Sequence, residues 1–208
     1  MWKKLLMLLL LVALCTAGCQ KQDVEKTSGA AYKVVDSQGT VIKFSQKPKR
    51  IMTTHFNLDN IVMGLVDEGR VVALSKSMYD ASVSYISTEA IKKPTKLNYD
   101  YSSEQVLALK PDLIIAREST GENRIQTYRG MGIPVYVVSN ANNVEEIKKQ
   151  IQEIGQVVGE KEHADKLLQK MQKQLDYIKS KTEAAAVKPK SVMLVSKMNH
   201  NYGGKGSF

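Results

Sequence analysis

From Arg50 onward the chain alternates short β-prone runs with segments of helical period, and this alternation constrains the fold more tightly than composition does. Apolar runs at residues 51–54, 71–74, 113–116 and 135–138 read as strands; segments 58–66, 103–109 and 124–131 between them read as helices. Strands separated by helices return in the same direction, so the pattern predicts a parallel sheet covered on both faces. Ahead of it, residues 34–35 and 41–44 flank the turn Asp36-Ser37-Gln38-Gly39, which predicts a hairpin, and Pro48 closes that unit.

Two helices follow the last of these strands. Val144, Ile147, Ile151, Ile154 and Val158 recur at spacings of three and four, and Gly159 ends the run. A second helix over residues 162–182 carries Ala164, Leu167, Leu168, Met171, Leu175 and Ile178 on one stripe, at roughly 30 Å long enough to serve as a strut. Beyond Pro189 a fresh apolar run at 192–195 reads as the first strand of another unit, and the sequence stops at Phe208. A lone buried-type strand at the end of a chain leaves its neighbours unsupplied, so the expectation is a second lobe cut short. The predicted fold class is α/β: an N-terminal parallel-sheet lobe, a long connecting helix and the start of a second α/β lobe. The predicted division is a signal segment at 1–18, a flexible tether at 19–31, the N-terminal lobe at 32–142, a helical linker with its strut at 143–188, and the opening of the truncated lobe at 189–208.

The first nineteen residues say where such a domain works. Lys3 and Lys4 precede an apolar run at 5–14, and Thr16, Ala17 and Gly18 lead into Cys19. The run is too short to span a bilayer. It resembles a bacterial lipoprotein signal, after whose cleavage Cys19 would become the lipidated first residue; Cys15 departs from the residue types usual before such a site. Two or more acyl chains anchor stably. The expected location is the extracytoplasmic face of the cell membrane.

Charge and cysteine content narrow the partners. The formal charge of +9 falls to +7 once residues 1–18 are removed, a balance that suits an anionic small ligand or membrane surface, while export argues against nucleic acid. No Cys follows Cys19, which excludes disulfides and a cysteine nucleophile from the mature domain. Three scattered His show no ligand spacing, so no resident metal or cofactor is expected.

Four segments carry a family resemblance: residues 48–54, the run EQVLALKPDLII at 104–115, the run GIPVYVV at 132–138, and the helix pair beginning at Val144. In this order they resemble the class III solute-binding lipoproteins of ABC importers, which handle siderophores, haem or vitamin B12. The resemblance implies two α/β lobes joined by one rigid helix with the ligand between them, and permease subunits as partners. It also implies that Glu104, near the start of the helix before the ALKPD turn, docks on permease arginines. As a bare sequence feature, Glu104 is a first-turn acid favoured by the helix dipole.

Ligands of open α/β sheets sit outside the carboxyl ends of the strands. The loops at 54–57, 76–79, 98–101 and 117–120 therefore supply the candidate ligand-binding residues His55, Phe56, Tyr79, Tyr99, Tyr101 and Arg117, with Lys76 beside them. Aromatic faces with a few cations suit an iron chelate of the siderophore type, and equally haem or the corrin of cobalamin. Each has a structural alternative: His55 as a hydrogen-bonded turn residue, Arg117 as a partner for Glu118, His163 as a solvated residue on the strut. An exported hydrolase is the competing enzyme class, but no GxSxG elbow or paired-carboxylate motif is present. A scaffold or adhesion lipoprotein fits the composition but accounts for none of the four segments.

Overall fold

The computed structural model describes residues 32–86, 92, 95–98 and 100–185. Cys19, Tyr99 and the run at 192–195 lie outside the described residues.

The chain opens on a hairpin of β1 (Tyr32–Val35) and β2 (Val41–Phe44), paired antiparallel with Tyr32 opposite Phe44. Their rings stack with centroids 5.1 Å apart. The Asp36 carboxylate closes the turn by accepting the backbone N–H groups of Gln38 and Thr40, and Gly39 supplies the left-handed φ of 79°. Asp36 also receives Arg129 Nη2 at 2.8 Å, and the Ser37 N–H donates to the Val137 carbonyl. These contacts dock the hairpin on the main sheet.

That sheet has the order β3 (Ile51–Thr53), β6 (Leu113–Arg117), β7 (Val135–Val138), all parallel. Side chains alternate across it with period two. Ile51, Leu113, Ile115, Tyr136 and Val138 enter one core with the hairpin, while Met52, Ile114, Ala116, Val135 and Val137 enter the other. Helix α1 (Phe56–Leu65) and helix α4 (Val144–Val157) cover the first face through Leu58, Val62, Leu65, Ile151, Ile154 and Val157. Helices α2 (Ser103–Leu109) and α3 (Glu122–Gly130) cover the second through Val106, Ile125 and Tyr128. Burial of both faces explains why these strands read as continuous apolar runs.

The strand expected at 71–74 is displaced. A 3-10 turn at Glu68–Arg70 leads the chain past β3, where Val71 makes one parallel bridge to Ile51 and the Val72 N–H donates to Ile51 O. The chain then swings away, and β4 (Leu74–Ser75) pairs in parallel with β5 (Lys96–Leu97). Competition between two strand partners shortens it to two residues.

The ALKPD segment is a stapled turn. Lys110 caps α2 at φ 47°, and Pro111 prevents continuation. Arg50 bridges back to the carbonyls of Lys110 (Nε, 2.9 Å) and Leu109 (Nη2, 2.6 Å), while Asp112 accepts the N–H groups of Lys49 and Arg50. Gly159, at φ 75°, separates α4 from α5 (Lys161–Ala184), whose 24 residues extend about 36 Å. The sequence places helix α4 in the linker, yet its Ile151, Ile154 and Val157 lie in the first core, and Leu167, Leu168 and Met171 of α5 pack partly against the same core.

Candidate functional site

The carboxyl ends of the three central strands converge on His55, Arg117 and Asn140. His55 follows β3 by two residues and caps α1: its extended backbone (φ −151°, ψ 140°) lets Nδ1 accept the Asn57 N–H at 3.2 Å. Arg117 is the last residue of β6, and its Nε and Nη2 donate to Asn140 Oδ1 at 3.1 and 2.9 Å, just beyond β7. Arg117 Nη1 lies 3.0 Å from His55 Nε2. Thr54 and Thr120 join hydroxyls at 2.8 Å beside them.

This arrangement holds more donors than acceptors. Burial first, and the Arg117 cation second, push the His55 pKa below its usual value and keep the imidazole neutral. A neutral ring has a single nitrogen lone pair, which can serve the Asn57 N–H or the Arg117 guanidinium but not both. An incoming oxygen acceptor, such as a carbonyl, phenolate or carboxylate, would satisfy the donor left over. His55 thus combines the turn role and an open polar role, and Arg117 pairs with Asn140 and His55 rather than with Glu118, whose Oε1 accepts from Ser139 Oγ.

Tyr79 ends a 3-10 turn, Lys76–Tyr79, that follows β4 directly. Its hydroxyl donates to Thr95 O at 3.2 Å, and Lys96 Nζ stands 5.1 Å from its ring centroid. With Lys76 it lines a shallow depression of about 430 Å³, separate from the Arg117 cleft. Phe56 is half-buried against the first core. Tyr101 does not face a cleft: it is 9% exposed within the second core, beneath Arg124 at 4.3 Å, and burial drives its hydroxyl pKa upward. The reason is its place directly before α2, where the chain needs an apolar plug between that helix and α3. Glu104 is exposed in the first turn of α2, and hydrogen bonding from Ser102 and its own backbone holds it below the usual glutamate range.

Asp59 was not anticipated. It is 1% exposed on α1, where Oδ1 accepts Thr53 Oγ1 at 2.6 Å and Oδ2 accepts the Ser75 N–H at 2.9 Å and hydroxyl at 2.5 Å. Burial pushes its pKa up to about 6, against the pull of those three bonds. It fastens the end of β3 to the end of β4, and so positions the loops that follow both strands. The signal in the sequence is an acid directly after Leu58 in the stretch that supplies Leu58, Val62 and Leu65 to the core.

The profile of the periplasmic binding protein family matches residues 53–207, three quarters of the chain. The chain belongs to that family. This periplasmic binding protein is 27% identical over 186 residues to the ABC transporter substrate-binding lipoprotein YvrC of Bacillus subtilis, covering 84% of the present chain and 57% of YvrC. It is 23% identical over 141 residues to a cobalamin-binding protein of Halobacterium salinarum, covering 67% of the present chain and 37% of that protein. The siderophore-binding protein BauB, solved with a complex of two acinetobactin molecules and ferric iron, superposes with a TM-score of 0.60 at 15% identity, over 78% of the present chain and 57% of BauB. The chain therefore spans about half the length of the relatives it matches, and the last comparison establishes shared fold. Among the described residues no helix is long and apolar enough to cross a membrane.

Proposed function

We propose that this periplasmic binding protein is the extracytoplasmic solute-binding component of an ABC importer, capturing a metal chelate and delivering it to permease subunits without covalent chemistry. The observation that carries the reading is the meeting of His55 and Arg117, from two different strand ends, 3.0 Å apart at the carboxyl edge of the sheet. The donor surplus there suits the oxygen-rich periphery of an iron chelate of the siderophore type, with haem or cobalamin as alternatives. Phe56, Tyr79 and Tyr99 are the aromatic contributors in this reading. Glu104, exposed on α2, is the permease-docking acid, and Cys19 carries the lipid that holds the protein at the membrane.

Equilibrium titration with ferric siderophores, haem and cobalamin, beside a panel of ester and glycoside substrates, tests the assignment. Saturable binding of one chelate is expected, weakened about tenfold or more by Arg117→Ala. Turnover of a hydrolase substrate with no chelate binding would overturn it. Incorporation of labelled fatty acid into the wild type and not into Cys19→Ala tests the anchor.

A further inference from the structure

Beside Arg117 a cleft of about 310 Å³ opens between α1 and α4. Its walls include Asn57, Asn60 and Ile61 from α1 and Ile147 and Gln150 from α4, and Arg117 is the only charged side chain among its lining residues. None of these except Arg117 was expected at the site. Resting on the chelate-binding reading above, we propose that this cleft is a subsite for a primary carboxamide arm of the captured ligand, and that it disfavours the corresponding carboxylate.

The carboxamides lining the cleft have fixed polarity. Asn60 Nδ2 donates to the Phe56 carbonyl at 3.0 Å, and Gln150 Nε2 donates to the Ser139 carbonyl. A carbonyl can only accept, so the NH2 groups must face those oxygens, and the Asn60 Oδ1 and Gln150 Oε1 atoms are the free acceptors. Arg117 supplies the opposite polarity: a guanidinium has five N–H donors, and its Nε, Nη2 and Nη1 contacts to Asn140 and His55 account for three of them. A primary carboxamide matches both sides, its carbonyl toward Arg117 and its NH2 toward Asn60 and Gln150. A carboxylate would satisfy Arg117 but set a negative oxygen against two carbonyl oxygens. Ile61 and the 38%-exposed Ile147 provide apolar walls for the methylenes of such an arm.

The test compares two probes with one metal and one ring: dicyanocobinamide, whose periphery carries primary amides, and dicyanocobyrinic acid, which carries carboxylates in their place. With the full chain labelled with nitrogen-15, titration should shift the side-chain NH2 resonances of Asn57, Asn60 and Gln150, and the amide form should bind about fivefold or more tightly than the acid, the worth of one neutral hydrogen bond. Asn60→Ala, at a half-buried position, should narrow that preference from both sides, weakening the amide form by the lost acceptor and tightening the acid by the lost opposing oxygen. Equal affinities, or shifts that bypass these three side chains, overturn the subsite. Binding of ferric siderophores with neither corrinoid bound overturns the subsite and leaves the proposed function standing. Failure of every chelate to bind overturns both.

Discussion

Helices α4 and α5 are joined by a short turn and carry apolar stripes of the same spacing, yet they end in opposite environments. Ile151, Ile154 and Val157 of α4 are buried against the sheet and α1. In α5 only Ala164 is buried; Leu167, Leu168 and Met171 are half-covered, and Tyr177 and Ile178 stand 63% and 56% exposed. Periodicity tells which face of a helix is apolar. It does not tell whether another element covers that face. The first half of α5 packs against the lobe, whereas Tyr177 and Ile178 in its second half stand open.

The sharpest way to break this contrast is to truncate one isoleucine from each helix. Ile154→Ala empties a fully buried site and should cost about 2–5 kcal/mol, whereas Ile178→Ala should change stability by less than about 0.5 kcal/mol. Urea unfolding of the two variants measures both. A comparable loss at Ile178 would mean that the second half of α5 is packed in solution.

Next in size is the contact that holds the two helices together. A Cβ added at Gly155 would fall well inside van der Waals distance of the Ala164 Cβ, so the helices meet there only because one residue has no side chain. Gly155→Val should destabilise by about 1–3 kcal/mol even though the helix itself would prefer a side chain, and Ala164→Gly in the same chain should recover part of the loss. Additive, independent effects of the two substitutions would show that the helices do not meet at this point.

These two regions also show how much the sequence revealed. The hairpin, the central strands and helices α1 to α5 were legible because Gly39, Pro111 and Gly159 punctuate periods that burial on one or both faces imposes. The linker boundary was not legible, since the stripe of α4 is indistinguishable from that of α5 before the sheet is present. At the site, His55 and Arg117 were legible as residues at strand ends. Tyr101 misled because a loop aromatic can turn inward as readily as outward. Asp59, Asn60 and Gln150 were missed because polar residues on helices acquire meaning only from what lies across from them.

Asp59 gives the third test, on the packed side of the contrast. Its folded pKa is raised to about 6 from 3.8, so between those values the folded state binds the proton that the unfolded state releases. Its contribution to stability is therefore present below about pH 4, declines as pH rises through 6, and is level above that. The stability of the wild type measured against Asp59→Asn should fall by about 2 kcal/mol or less from pH 4 to pH 7, the difference cancelling the other acids. A rise over that interval would require a cation facing Asp59, where the structure places the hydroxyls of Thr53 and Ser75 and the Ser75 N–H.

The smallest expected effect lies where the two regimes of α5 meet. His163, read from the sequence as merely solvated, donates from Nδ1 to the Leu65 carbonyl at 3.2 Å, although its side chain is 59% exposed. That bond ties the first turn of α5 to the last residue of α1, a carbonyl the helix itself leaves unpaired. Because water can replace most of an exposed hydrogen bond, His163→Ala should cost only about 0.5–1 kcal/mol, and it should speed hydrogen exchange in the amides of residues 161–171 more than in 172–184. If exchange accelerated equally along the whole helix, α5 would be docking as one rigid unit, and its division into a packed half and a more exposed half would fail.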